Sequence, residues 1–470
     1  MKIAFQLELD RSSGTPLQRQ IREALRDAIL DGRLASGARL PSWQELAGSL
    51  NIARGTVKAA YDWLAGEGLI AGRGAQGSFV TADFVRPAEP AQAETDLRGS
   101  DRFYPYQWGA PPLPFQLGVP ALDQFPRMLW ARAVGRAARN LSLGTMSYPD
   151  PAGWPPLRSA IADYVAGARG IACAPSQIFI TTGYTGALDL IARVVGDGSP
   201  KCWIEDPGFF RARDALEIAK IVQVPIPVDD EGLDVAAGIA RAPDARLVLT
   251  TPSHQSPLGM PMSLSRRGAL LNWVADTGAW IIEDDYYGEF RAKGRPIPAL
   301  ASLDGRGRTL YVGSFSKVMI PALRLGYVIV PPALVPAFRQ VTSFLTPAPA
   351  PATQMALAEF IELGHFARHL RRMIRLYGER RVALARALEA GFGNKIRIGM
   401  QANGIHLIAW FDTALPDTEL GARAAHLGAA ALSPWTVERS PPPALILGFA
   451  NIPAEKAVAE VERLAAALAL

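Results

Sequence analysis

The sequence predicts an α/β protein in two modules: a small N-terminal winged helix-turn-helix, then a large domain around a mostly parallel sheet. Three observations carry this. Residues 1–82 hold short amphipathic helical patterns that end in a Gly-rich basic hairpin. From Trp108 to residue 470, short apolar strands alternate with longer helical patterns, the signature of a parallel sheet covered by helices. Between them, residues 83–107 include the run Pro87 to Thr95, Pro-Ala-Glu-Pro-Ala-Gln-Ala-Glu-Thr, whose composition cannot bury a core and reads as a linker.

Length and charge set the bounds. At 470 residues the chain exceeds one ordinary core, and two to three domains are expected. Apolar residues make up 49% and charged residues 20%, an ordinary globular balance. A net charge of +5 is too mild to argue for nucleic acid alone. The two cysteines, Cys173 and Cys202, are far apart and have no metal spacing, which fits a reducing compartment. The charged start lacks an apolar signal core, and no uncharged run reaches the ~18 residues of a membrane helix. A cytoplasmic, non-membrane protein is expected.

In the N-terminal zone, Leu17, Ile21, Leu25, Ile29 and Leu30 recur at helical spacing from Pro16 to Asp31. Ser42 followed by Glu45 is a capping box that opens a second helix, Trp43 to Leu50. Asn51 turns the chain, and Arg54-Gly55-Thr56-Val57 starts a third helix that reaches Glu67. Leu69-Ile70 and Phe79-Val80 flank Gly72-Arg73-Gly74-Ala75-Gln76-Gly77, a tight hairpin with an arginine near its tip. Early residues of a recognition helix face the major groove, so Arg54 and Thr56 are placed to meet bases or phosphates. Ser42 joins them as a candidate DNA contact, and Arg73 is placed to track phosphates or the minor groove from the wing. Lys and Arg number ten in residues 1–80 against eight Asp and Glu, so the basic excess there is only +2.

The second zone is read strand by strand. Gln177 to Thr182 ends at Gly183, with a helix from Tyr184; a glycine leading into a helix N-terminus offers free N–H groups to an anion, here from Tyr184 and Thr185. Cys202 to Glu205 runs into Asp206-Pro207-Gly208-Phe209, which puts a ring at the strand exit where it can stack on a flat cofactor. Leu247 to Thr250 leads to Ser253-His254-Gln255-Ser256; either His254 or Gln255 can hydrogen-bond a phenolic oxygen. Trp280-Ile281-Ile282 leads to Glu283-Asp284-Asp285-Tyr286, acids beyond a strand's carboxyl end, where open α/β sheets bind ligands. Asp284 fits a carboxylate against a pyridine nitrogen and Tyr286 a donor to a phenolic oxygen. Thr309 to Val312 precedes Ser314-Phe315-Ser316-Lys317, with Arg324 seven residues on. An amine there can form a Schiff base, and the hydroxyls and arginine beside it can hold a phosphate. This is the chemistry of pyridoxal 5'-phosphate.

Two resemblances follow. The first zone resembles the GntR-type DNA-binding domain through Arg39-Leu40-Pro41-Ser42, Glu45-Leu46-Ala47, Arg54-Gly55-Thr56-Val57, Glu67-Gly68-Leu69-Ile70 and Gly77-Ser78-Phe79-Val80. It departs at Trp43-Gln44, where that family more often has a small residue and then arginine, which weakens a phosphate contact at position 44. The second zone resembles the pyridoxal-phosphate-dependent fold type I aminotransferases over nearly all of residues 108–470. Together they resemble a MocR-type transcriptional regulator, through phrases such as Tyr148-Pro149-Asp150-Pro151-Ala152-Gly153, Thr251-Pro252-Ser253-His254-Gln255, Glu283-Asp284-Asp285-Tyr286, Glu289-Phe290 and Leu323-Arg324-Leu325-Gly326-Tyr327. The resemblance implies Lys317 as the cofactor lysine, Asp284 at the pyridinium and Tyr286 at the phenolic oxygen. It implies Ser314, Ser316, Arg324 and the Gly183 turn at the phosphate, Phe209 stacking, and a homodimer in which Tyr148 contributes across the interface. Its partners are double-stranded DNA and a small-molecule effector.

One departure bears on function. Aminotransferases clamp the substrate carboxylate with an arginine in an Arg-Leu-x-Phe-Ala type strand. Here that strand reads Leu445-Ile446-Leu447-Gly448-Phe449-Ala450, with Ile446 in the arginine's place. An alkyl chain cannot make a bidentate clamp; Arg211, Arg213 or Arg439 could compensate. The expectation is a regulator that senses an amino compound or a vitamer of the cofactor. The alternative is an active aminotransferase carrying a regulatory DNA-binding head.

Overall fold

The computed structural model describes residues 7, 9–81, 109–288, 298–345, 347–399, 404–438 and 440–469. The chain divides into two compact units, Met1–Pro105 and Tyr106–Leu470. The whole expected linker, with Trp108, Glu289-Phe290 and Arg439, lies outside the described residues.

In the first unit, helix α1 spans Leu17–Leu30 and buries Ile21, Leu25, Ala28 and Ile29, one face of a 3.6-residue repeat. Burying Ile21 alone is worth about 1.5–3 kcal/mol. Helix α2, Trp43–Leu50, opens on the expected capping box: the Ser42 hydroxyl accepts from Glu45 N at 3.1 Å, and Ser42 N donates to Glu45 Oε2 at 2.9 Å. Asn51 ends α2 in the left-handed region at φ 51°. Helix α3, Arg54–Gly66, buries Val57, Ala60, Tyr61 and Leu64 against α1 and α2. Strands β1, Ile70–Gly72, and β2, Ser78–Val80, pair antiparallel with Ile70 opposite Val80. Their loop is wider than a tight hairpin: a 3₁₀ turn over Gly74–Gln76 lets Arg73 N reach Gly77 O at 2.8 Å.

The second unit is built on an eight-stranded sheet. Its strands are β3 (Ile178–Thr181), β4 (Lys201–Asp206), β5 (Val222–Asp229), β6 (Gly232–Leu233), β7 (Leu247–Thr250), β8 (Trp280–Asp285), β9 (Thr309–Ser314) and β10 (Gly326–Ile329). The order is β3-β10-β9-β8-β7-β4-β5-β6. The run from β9 through β5 is parallel; β10 is antiparallel to both neighbours, and β6 to β5. Both faces are covered. Ile178, Ile180, Tyr311 and Tyr327 enter one apolar cluster, and Phe179, Leu310, Val312 and Val328 the opposite one, the two-residue alternation of buried strands. The helix Gly183–Val195 covers the second face; the long helix His365–Phe392 delivers Phe366, Met373, Tyr377 and Leu384 to the first.

A second, wholly antiparallel sheet was not legible in the sequence. It contains β11 (Ile396–Gly399), β12 (His406–Phe411), β13 (Ala430–Ala431) and β14 (Ala444–Gly448), in the order β11-β12-β14-β13. The segment around Phe115 ties it in: Gly448 N donates to Phe115 O at 2.9 Å, and Phe115 N to Leu427 O at 2.9 Å. Among the described residues no helix is long and apolar enough to cross a membrane.

Candidate functional site

The carboxyl ends of β4, β7, β8 and β9 carry the chemistry. Strand alternation separates the three acids of β8. Glu283 faces the helix Leu300–Leu303, accepting from Leu300 N at 2.8 Å and Ala301 N at 2.7 Å. Burial and the Asp285 charge push its carboxyl up to about 7. Asp285, two residues on, takes the buried Arg169 guanidinium at 2.6 Å and the Tyr311 hydroxyl at 2.8 Å. Arg169 also donates to Ser253 Oγ at 2.6 Å, which pins the loop after β7 to the end of β8. Asp284 points the other way, lining a narrow cleft with Tyr184, Glu205, Gly208, Phe209 and Thr250. Burial pushes its carboxyl up to about 8, although Tyr184 and the Lys317 charge act to lower it.

Lys317 is half-buried, and its Nζ donates to the carbonyl of Gly118 at 2.6 Å. Burial first, then the Arg211 charge, lower its amine to about 8; Asp284 opposes them. Gly118 has φ +72°, and a Cβ there would stand 2.4 Å from Lys317 Nζ, so the loop closes on the amine only because that position has no side chain. Beside the expected phosphate groups, Gly326 pairs with both Ser314 and Thr181, which brings the ends of β9 and β3 together. A Cβ on Gly326 would meet the Gly183 backbone at 3.0 Å. Ser316 N donates to Ser314 Oγ at 3.3 Å, and Arg324 is exposed with φ 50°. Helix Gly183–Val195 starts one residue earlier than expected, with Tyr184 and Thr185 half-buried in its first turn.

Phe209 precedes the helix Phe210–Ile218, with ring centroids 5.9 Å from Tyr184 and 5.8 Å from Trp435. The choice between His254 and Gln255 narrows. Gln255 spends its amide inside the loop: Nε2 donates to Pro207 O at 2.8 Å and Ser256 O at 2.9 Å, and Oε1 accepts from Leu258 N at 2.9 Å. His254 is 3% exposed, neither ring nitrogen has a hydrogen-bond partner, and burial lowers its imidazole to about 3.

The arginines divide as well. Arg213 donates to Pro434 O at 2.6 Å and so holds the loop between β13 and β14 of the second sheet. Arg211 carries the charge felt by Lys317. Ile446 is 1% exposed and packs with Ile408, Leu432, Trp435 and Ala444, with Phe209 against the same cluster.

In the first unit, Arg54 and Arg73 are exposed and Thr56 and Ser42 half-buried, the last with its hydroxyl in the capping box. The Arg73 guanidinium lies over the Phe79 ring at 4.9 Å. Arg39 was not foreseen as a wing residue; its guanidinium lies 3.3 Å from where a Cβ on Gly77 would stand.

Comparison with known proteins decides the family. Residues 17–80 match the bacterial regulatory proteins of the gntR family, and residues 116–420 match aminotransferase class I and II. The chain is 37% identical over 463 residues to the probable rhizopine catabolism regulatory protein MocR of Rhizobium meliloti, covering 95% of this chain and 92% of that one. The chain belongs to the MocR-type transcriptional regulators. This MocR-type chain is also 31% identical to the pyridoxine biosynthesis transcriptional regulator PdxR of Corynebacterium glutamicum, over 80% of this chain and 79% of that one. Its second unit resembles the α-aminoadipate aminotransferase LysN of Thermus thermophilus, at 28% identity and TM-score 0.68, over 76% of this chain and 91% of that one. The regulator thus joins a DNA-binding winged helix to an aminotransferase fold.

Glu205, like Gly118 and Arg169, is a site residue that sequence reasoning missed. It is buried at the end of β4 and accepts from Thr250 Oγ1 at 2.7 Å, Thr251 N at 2.9 Å and Thr251 Oγ1 at 2.6 Å. Its only signal was its strand-end position beside Asp206.

Proposed function

We propose that the second unit of this transcriptional regulator carries pyridoxal 5'-phosphate on Lys317 and senses a small amino compound or a vitamer of the cofactor. The observation that carries the reading is the half-buried Lys317 facing the charge of the buried Asp284, each brought to about 8 from opposite directions. A second supports the fit: Tyr184 Oη and Tyr286 Oη are buried without a well-formed hydrogen bond, although a buried hydroxyl normally has a partner. A flat, polar ligand with an aromatic nitrogen and a phenolic oxygen would serve these groups.

When bound, the cofactor supplies an electrophilic carbon and an electron-withdrawing ring. The residues around it do the rest. Lys317, with its proton loosely held, offers an amine near neutral pH. Asp284 takes the ring nitrogen, whose positive charge would return the carboxylate to its ionised form. Tyr286 donates to the phenolic oxygen with His254 nearby, ring centroids 5.9 Å apart. Ser314, Ser316, Arg324 and the first turn after Gly183, with Tyr184 and Thr185, hold the phosphate. Phe209 stacks on the ring. Ser42, Arg54, Thr56 and Arg73 meet DNA.

The proposed layout is a DNA-binding domain at 1–82, a linker at 83–107 and an effector domain at 108–470. Tyr148, fully exposed, would be covered in a homodimer. Ile446 supports sensing over turnover, since no clamp stands at that position. The test is a spectral titration of cofactor-loaded protein with candidate amino compounds, followed by DNA binding with and without each. The reading expects a cofactor band lost in Lys317→Ala and a spectral response that changes DNA affinity. Steady turnover at about 1 per second or more on an amino-acid and keto-acid pair would instead favour the working aminotransferase.

A further inference from the structure

The positive charge of this chain is not spread evenly. The helix His365–Phe392 holds seven arginines against two glutamates, an excess of five, equal to that of the whole chain. The winged-helix zone, residues 1–80, holds an excess of only two. A protein that binds DNA through several phosphates needs about one cation per phosphate, often six to ten. The unit expected to read DNA carries little of that charge.

The arginines of the long helix are also sorted. Arg380 is buried and paired with Asp123 at 2.5 Å. Arg368, Arg371, Arg372, Arg375 and Arg386 are exposed. At 100° per residue these five fall within an arc of about 100°, on a stripe about 27 Å long. Two of them meet side chains that are not acids: His365 Nδ1 lies 3.0 Å from Arg368, and Gln124 accepts from Arg372. The acids on the same arc are Glu379, 3.8 Å from Arg375, and Glu389. An ordinary solvated helix face intersperses both signs; this one presents a row of guanidinium groups, which suit phosphate oxygens.

We infer that the exposed stripe Arg368, Arg371, Arg372, Arg375 and Arg386 is a second DNA-binding surface that takes backbone phosphates without reading sequence. It supplies the electrostatic part of DNA affinity while the winged helix supplies recognition. The inference does not depend on the cofactor.

The experiment uses the full chain and a duplex of random sequence about 40 base pairs long, with affinity followed against salt concentration. In Arg371→Gln/Arg375→Gln/Arg386→Gln, the slope of log affinity against log salt becomes shallower by about 2 to 3, at about 0.9 per lost phosphate contact. The matching arginine-to-lysine triple keeps most of the slope. Arg54→Gln/Arg73→Gln, measured in parallel, leaves the stripe's share in place. These side chains are exposed, so folding is expected to survive, and a circular dichroism melt confirms it for each variant. A glutamine triple with an unchanged slope and unchanged affinity overturns the inference and leaves an acidic protein surface as the ligand of the stripe.

Discussion

Lys317 offers the sharpest test of the proposed site, because its surroundings pull its amine in opposite directions. Burial and the Arg211 charge lower it, and Asp284 raises it, with a resultant of about 8 against an ordinary 10.5. At pH 8 about half of the amine is then neutral, where an ordinary lysine would be roughly 0.3% neutral, so reactivity toward an aldehyde rises by about two orders of magnitude. The assay is the rate at which cofactor-free protein gains the pyridoxal phosphate absorbance band, measured from pH 6 to 10. The expected profile has its midpoint near 8. Arg211→Gln removes a repelling cation and moves the midpoint up; Asp284→Asn removes an attracting anion and moves it down. Lys317→Ala abolishes the band and serves as the zero. A midpoint above 10, or both variants moving the same way, refutes the electrostatic account of the site.

Three further outcomes follow from the geometry. Gly118→Ala would bring a Cβ to 2.4 Å from Lys317 Nζ and strain a backbone at φ +72°; it should lower cofactor occupancy at least tenfold in a spectral titration and leave DNA binding by the winged helix intact. Arg169→Met leaves Asp285 buried without its cation, and about 3–5 kcal/mol of stability should be lost in urea unfolding, much of it regained in Arg169→Met/Asp285→Leu. Asp284 is an acid raised from 3.8 to about 8, so the folded state holds its proton longer than the unfolded state. Its contribution is present at acid pH and declines as pH rises from about 4 to about 8. Asp284→Asn should therefore flatten the stability profile of the cofactor-free protein across that window, and an unchanged profile would sink the assignment.

What the sequence made legible was local. The Ser42–Glu45 box, the Asn51 turn and the apolar strands β3 and β9 need only neighbours a few residues away, and each is found within two residues of where the sequence put it. The separate directions of Glu283, Asp284 and Asp285 follow from strand alternation once β8 is known to reach Asp285. Contacts between distant segments were not legible. Gly118 meets Lys317 across 199 residues, and the donors to Glu205 come from a loop 45 to 50 residues on. Gln255 seemed equivalent to His254 because both are polar and adjacent; only the fold shows one consumed by carbonyls and the other left without a partner. The second sheet escaped notice because its short strands are separated by turns and 3₁₀ segments that carry no strong period.

The same residues argue for why a sensor could retain an aminotransferase fold. Turnover needs a substrate held in one orientation through two half-reactions, which is the work of a bidentate clamp on its carboxylate. Here the clamp position is Ile446, sealed among Ile408, Leu432 and Trp435, and Arg213 is committed to backbone carbonyls. An arginine at 446 would have to bury its charge in that apolar cluster, a cost of several kcal/mol. Sensing asks for less: one reversible event at Lys317 with a different binding energy in two arrangements of the protein. On the proposed reading, the groups that make the amine reactive persist, while the groups that would orient a substrate for repeated chemistry have been given over to packing.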